Sequence, residues 1–396
     1  MRKRIASLVL LVLLTSLLPG CWDRYDVSDL AIVGGVGVDR VSSGRIRMTL
    51  QIALPSAFYG GQGGNGGQST AASWVVSGEG KTVADAEAAL EKVVPRKIFW
   101  DSCGILVVGD QMARQGIGSV TDFFLRHGST RETMLVMITK GEARTFLETS
   151  SVLERMSSQA TQILDKINVG YSIQLWKFAE MLDSKGIEPV VPWVSIQKAG
   201  VVPEPGKGQS QVEQPVLSGM AVFRGDKVIG WLNTRETRAL LWLKGKETQG
   251  AITVPSPDGS GPGTSVKIRG GSAQIIPEYD GRSLRFQVNL DMNADVMEQT
   301  KNEAPVQAGT IKTLDTRTAQ VIKQRVTEVL HKAQRDYGVD IFGFGQAFHR
   351  SYKKDWREMK DRWDEDFTGA DVNIAVEAHV HEIGLISQGA GRSKND

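Results

Sequence analysis

The chain has 396 residues, 41% of them hydrophobic and 23% charged, with 9 Trp. That excludes a disordered or low-complexity chain and gives length for roughly two or three domains. The formal net charge is +2, but Arg2, Lys3 and Arg4 at the extreme N-terminus supply the excess; the nearly neutral remainder offers no general attraction to nucleic acid.

Arg2 to Arg4 precede an apolar run, Ile5 to Leu18, broken only by Ser7, Thr15 and Ser16. A membrane-spanning helix needs about 20 apolar residues, so this run fits the core of a signal peptide instead. Leu18-Pro19-Gly20-Cys21 follows and resembles a bacterial lipobox, with Pro19 a departure from the usual pattern. Residues 1–20 are expected to be a lipoprotein signal peptide and Cys21 to carry the lipid. A thiol can become a thioether bearing diacylglycerol, and each buried CH₂ contributes about 0.8 kcal/mol to membrane binding. Cys103 is the other cysteine, so lipid on Cys21 leaves no intrachain disulfide. In Ser102-Cys103-Gly104-Ile105-Leu106-Val107-Val108 it reads as a small hydrophobe of a buried strand.

Leu30 to Val33 and Arg45 to Ile52 read as strands, the second with Ile46, Met48, Leu50 and Ile52 on one face. A Gly-rich stretch, Gly60 to Gly67, separates them from Trp74-Val75-Val76. Thr82, with Asp85 three residues on, opens a helix through Val94. Ile105 to Val108 is a strand, Asp110 to Leu125 mostly helix and Thr133 to Ile138 a strand, with helical signals from Ala143 to about Met181. This alternation indicates an α/β or α+β unit. Gly200 to Pro215, rich in Gly and Pro, reads as a domain break, followed by a hairpin around Arg224-Gly225-Asp226 and a short helix over Thr234 to Leu243. Beyond Pro255 to Gly263, Leu284 to Met292 alternates as a half-exposed strand. Ile311 to Tyr337 has helical spacing with Gly338 as its stop, and a second helix is expected over Gln346 to Trp363. Tyr352, Trp356, Met359 and Trp363 share one face of it, and Val372 to Val380 closes the chain as a strand. The expected fold class is α+β or mixed α/β, multidomain, each domain a mixed β-sheet packed with helices. The expected division is 21–205, a middle region 206–262 and 263–396.

Few motifs ask for chemistry. Gly61-Gln62-Gly63-Gly64-Asn65-Gly66 spells a dinucleotide fingerprint, but a strand rather than a helix follows it. Gly80-Lys81-Thr82 imitates the end of a P-loop, yet Val75 stands where the motif needs Gly. Arg224-Gly225-Asp226 is good turn chemistry. His379 and His381 point to one side of a strand and could share a metal, but spacing supplies no third ligand. Arg350 to Asp366 interleaves aromatics with six basic and six acidic residues, a balance that neutralises few phosphates. Pairs such as Arg357 with Asp361 fit an amphipathic helix there.

Several blocks together point to a family. Gly20-Cys21-Trp22-Asp23, the strand ending Gly37-Val38-Asp39, the Gly-rich loop, Leu217 to Phe223, Gly230-Trp231-Leu232, and Asp340-Ile341-Phe342-Gly343-Phe344-Gly345 with His349-Arg350 occur in this order. With them the chain resembles the Ger(x)C spore germination lipoproteins over essentially its whole length. The resemblance implies a non-enzymatic C subunit of a nutrient germinant receptor, on the outer face of the spore inner membrane. It would act with integral-membrane A and B subunits. It implies several α/β domains and no catalytic, cofactor or metal residues, with Cys21 the one functional residue carried over. The rival readings are a solute-binding lipoprotein of an uptake system, which needs two lobes closing on a ligand, and an envelope enzyme using Cys103 or the His379/His381 pair.

Overall fold

The computed structural model describes residues 4–5, 26–54, 72–166, 171–204, 208–246, 250–255, 262–299 and 308–381. Cys21, most of the signal segment and the Gly-rich stretch 60–67 lie outside the described residues.

The first sheet begins with three antiparallel strands, β1 (Leu30–Arg40), β2 (Ile46–Ala53) and β3 (Ser73–Gly80). Two parallel strands follow on the other side of β1, β5 (Ile105–Gly109) and β6 (Leu135–Thr139), while the short β4 (Lys97–Phe99) pairs with the first residues of β1. Every residue of β5 is buried, as a central parallel strand covered on both faces requires. The covers are α1 (Val83–Glu91), α2 (Asp110–Gln115), α3 (Gly118–Arg126) and α6 (Leu175–Asp183), with α4 (Ala143–Glu148) and α5 (Ser157–Lys166). The double cover changes the fate of β2. Its apolar face is buried as expected, but Thr49 and Gln51 are buried too. The Gln51 amide donates to Leu147 O at 2.7 Å, and Thr49 pairs with the Ser77 hydroxyl at 2.8 Å, so these polar groups keep partners.

Thr82 caps α1 by accepting the Asp85 N–H at 3.1 Å. The glycines before it serve packing: a β-carbon on Gly78 would stand 2.5 Å from Ala86 O. Helix α2 is separated from α3 at Gly116, whose φ of +127° favours glycine, so the single helix expected over Asp110 to Leu125 is two.

Beyond β6 the sheet continues through β7 (Val190–Glu204), β8 (Gly208–Arg224) and β9 (Lys227–Asn233), in the order β3-β2-β1-β5-β6-β7-β8-β9. The Gly/Pro-rich stretch expected as a break thus forms the arms of a long hairpin, with Lys198 opposite Glu213 and Val201 opposite Gln211. Pro203 is tolerated because this part of β7 pairs on one side only; β6 meets β7 at Trp193 and Val194.

A second sheet has the order β10 (Ala251–Pro255), β11 (Pro262–Tyr279), β12 (Leu284–Gln299) and β13 (Asp371–His381). Phe286, Val288, Leu290 and Met292 of β12 point inward against α8 (Ala308–His331), which buries Leu314, Ile322, Val326 and Val329. A π turn, Lys332–Tyr337, ends at Gly338 with φ +64°. The one helix expected over Gln346 to Trp363 is α9 (Phe344–Ser351) and α10 (Lys353–Met359), with α11 (Trp363–Gly369) after it. Trp356, Met359 and Trp363 still reach one core. The Arg357–Asp361 pair does not form, since α10 ends at Met359; Asp361 instead meets Lys185 at 3.6 Å.

Strands β7 to β9 serve two cores at once. Val190, Met220, Val222 and Leu232 pack into the C-terminal core, while Val191, Ala221 and Phe223 pack into the N-terminal one. Successive strand residues face opposite sides, so one hairpin becomes a wall common to both domains. Helix α7 (Thr234–Leu243) follows on the C-terminal side, its start closed by a reciprocal Asn233–Glu236 capping box. The fold is mixed α/β, two sheets packed with helices.

Candidate functional site

The most elaborate polar arrangement lies where the two domains meet. Asp340 is fully buried. Its Oδ1 accepts the N–H groups of Phe342 at 3.0 Å and Gly343 at 2.9 Å; its Oδ2 accepts Gly345 N–H at 2.8 Å and the Trp363 indole N–H at 3.1 Å. The carboxylate therefore closes the turn opening α9 and ties it to α11. Asp340 O also accepts Glu188 N–H at 2.7 Å, which joins this turn to the N-terminal domain.

Glycine makes the approach close enough. Gly186 has φ +80°, and a β-carbon there would lie 2.6 Å from the Trp356 ring. A β-carbon on Gly345 would lie 2.5 Å from Gly186 Cα. Beside this contact, Arg224 Nη2 donates to Tyr337 O at 2.6 Å, and the Tyr337 hydroxyl donates to Trp231 O at 2.8 Å. Lys332 Nζ bridges Trp231 O at 3.1 Å and Glu236 at 2.8 Å. The β8–β9 hairpin is thus stitched to the end of α8 by the Arg224 turn, which explains the Arg-Gly-Asp tripeptide: Gly225 N–H donates to Glu188 Oε2 at 2.7 Å and Gly118 N–H to Asp226 Oδ2 at 3.0 Å.

Three carboxyls crowd this joint. Burial raises Asp340, Glu188 and Asp364 above their ordinary range, and mutual repulsion adds to the rise in Glu188 and Asp364; the donors to Asp340 and the Arg224 guanidinium pull the other way. An acid raised by folding stabilises the fold most below its ordinary value, here 3.8 for Asp and 4.5 for Glu, and that stability is lost as pH rises through the raised value. Urea midpoints are therefore expected to fall as pH rises above those ordinary values. The double variant Glu188→Gln with Asp364→Asn should flatten that slope; a slope as steep as in the parent would assign it to other groups.

The N-terminal domain repeats the device. Asp39, buried at the end of β1, accepts Ala143 N–H at 2.7 Å and Arg144 N–H at 3.0 Å at the start of α4. Both aspartates belong to blocks that carry the family resemblance, but their shared role was hidden. The donors to Asp39 lie more than 100 residues away.

The other sequence candidates lie apart. Cys103 is buried, and burial pushes its thiol up to about 12, which leaves little nucleophilic thiolate. Its weak partner is Ile105 O at 3.5 Å. His379 meets Asp291 at 3.3 Å and His381 faces Asn293 at 3.5 Å, both in exposed positions on β13. No group of three metal-ligating side chains occurs among the described residues. A two-lobed solute trap needs lobes that hinge apart; here the lobes share β7 to β9.

Two family models divide the chain between 196 and 218, inside the long β7–β8 hairpin. Spore germination protein N-terminal domain matches residues 23–196, and the B3/GerAC-like C-terminal domain matches 218–384. The chain belongs to the Ger(x)C family of spore germination proteins. Among its Ger(x)C relatives in Bacillus subtilis (strain 168), it is 27% identical to YfkR over 388 residues, covering 98% of each chain. It is 25% identical to spore germination protein KC, covering 95% of each, and 22% identical to spore germination protein B3, covering 93% of this chain and 95% of that one. The crystal structure of the GerBC protein has the same fold, with a TM-score of 0.51 at 15% identity over 87% of this chain and 96% of that one. The domain joint therefore belongs to a Ger(x)C scaffold.

Proposed function

We propose that this chain is a lipid-anchored, non-enzymatic C subunit of a spore nutrient germinant receptor. It is held through Cys21 on the outer face of the spore inner membrane, beside the integral-membrane A and B subunits, and serves their assembly or signalling. The observation that carries the reading is the pair of family models spanning 23–196 and 218–384, behind an N-terminal signal and a cysteine at 21. No helix among the described residues is long and apolar enough to cross a membrane, which is compatible with attachment by lipid. A tether raises the local concentration of the body near membrane partners, so weak contacts suffice. The wall β7 to β9, shared by both cores, supports the same role by joining the two domains through one continuous sheet.

Cys21→Ala should remove acyl label and membrane retention and abolish the germination response, while circular dichroism of the body stays unchanged. Label and membrane fractionation equal to the parent's would refute the anchor.

A further inference from the structure

Leu125, Val201, Val202 and Met297 are exposed on other elements, but six of the exposed large hydrophobic side chains gather at one end of the first sheet. Leu153 is 88% exposed, Val27 68% and Val93 54%, and Val152, Trp74 and Trp176 are exposed as well. These six lie at the same end of the first sheet, the end where β1 begins. Val27 immediately precedes β1. Trp74 pairs with Ile52, which pairs with Val33 near the start of β1. Val93 lies in the turn before β4, whose three residues pair with Leu30 to Ile32. Val152 and Leu153 precede Met156, which packs against Ala72 and Ala53 at that same level. Trp176 N–H donates to Glu132 O just ahead of β6, a strand parallel to β5 and so to β1. Single exposed hydrophobes are ordinary, but a set gathered at one end marks a contact surface.

Cys21 stands five residues before Asp26, and extended chain of that length reaches at most about 18 Å. The lipid would therefore sit against this end of the sheet. The charges in the same stretches balance: Lys92, Arg96, Lys97, Arg131 and Arg155 stand against Asp26, Asp29, Glu91, Glu132 and Glu154. Tryptophans with one wet and one apolar side favour membrane interfaces. We propose that this end of the N-terminal domain inserts its apolar side chains into the headgroup–acyl boundary of the bilayer, fixing how the body stands on the membrane. The proposal rests on the reading that Cys21 is acylated, but its contact is separable from the acyl chains.

The test uses the whole mature chain carrying Cys21→Ala, mixed with vesicles of phosphatidylcholine and phosphatidylglycerol and sedimented. Partition is expected, and because the charges balance it should change little between low and high salt. Adding Val93→Ser and Leu153→Ser, both surface changes, should weaken partition about tenfold or more with circular dichroism unchanged. No partition, partition abolished by salt, or equal partition with and without the two serines overturns the proposal. A face silent on vesicles yet shielded from labelling by the integral subunits would be a protein contact, and would likewise overturn it. Acyl labelling of the parent in cells reads the anchor separately. Label without vesicle binding sinks the inserted face and leaves the anchor; vesicle binding without label does the reverse.

Discussion

Asp340→Ala is expected to cost about 4 kcal/mol or more of unfolding free energy, the range reserved for broken buried networks. The substitution leaves three buried backbone N–H groups and the Trp363 indole N–H without their acceptor. Each buried donor left without a partner costs about 1–3 kcal/mol. Asp340→Asn keeps the shape but turns an amide toward two of those donors, so it should fall between alanine and the parent. Denaturant unfolding followed by tryptophan fluorescence reads the change directly, because Trp356 and Trp363 line the joint. An alanine variant as stable as the parent would show that the four hydrogen bonds are replaced by water.

Gly345→Val tests the same joint by sterics alone. Its β-carbon would meet Gly186 Cα at 2.5 Å and Gly186 O at 2.8 Å, both backbone atoms that no rotamer change can move. Overpacking typically costs about 1–3 kcal/mol where side chains can shift, and more is expected here. The expected signature is selective: the contact between the domains opens before either core melts. Limited proteolysis should cut near Gly186 in the variant while β5 and β12 stay protected. Cleavage spread evenly over the chain would mean that the joint and the cores unfold as one unit. Gly345→Ala should show the same order of events at smaller amplitude, since one methyl meets the same atoms.

Much of the local structure was legible from spacing. The α1 cap at Thr82, the hairpin at Arg224-Gly225-Asp226, the inward face of β12 and the stop at Gly338 each depend on residues within a few positions of one another. The misreadings share a cause. Gly200 to Pro215 lies between the two family matches, and what its linker-like composition does not report is that its two arms pair with each other. Residues 346–363 have one apolar face, and a continuous helix and three short pieces wrapped round a core produce the same face. For the joint, the Asp340 to Gly345 block was visible as a block, whereas Gly186, its partner, is one glycine among 43.

By itself the sequence determined the class of fold, the inert setting of Cys103, the expectation of a lipid at Cys21 and the family to which the blocks belong. Those properties come from local chemistry: strand alternation, helix caps, and a cysteine behind an apolar run. Only the tertiary structure decided that β7 to β9 form a wall common to two cores, that Asp39 and Asp340 do the same work in their two domains, and that six exposed hydrophobes collect at one end of the sheet. Apart from the three donors that follow Asp340 within five residues, each of these joins residues far apart in the chain through pairing, burial or excluded volume, and such contacts leave no fixed spacing to read.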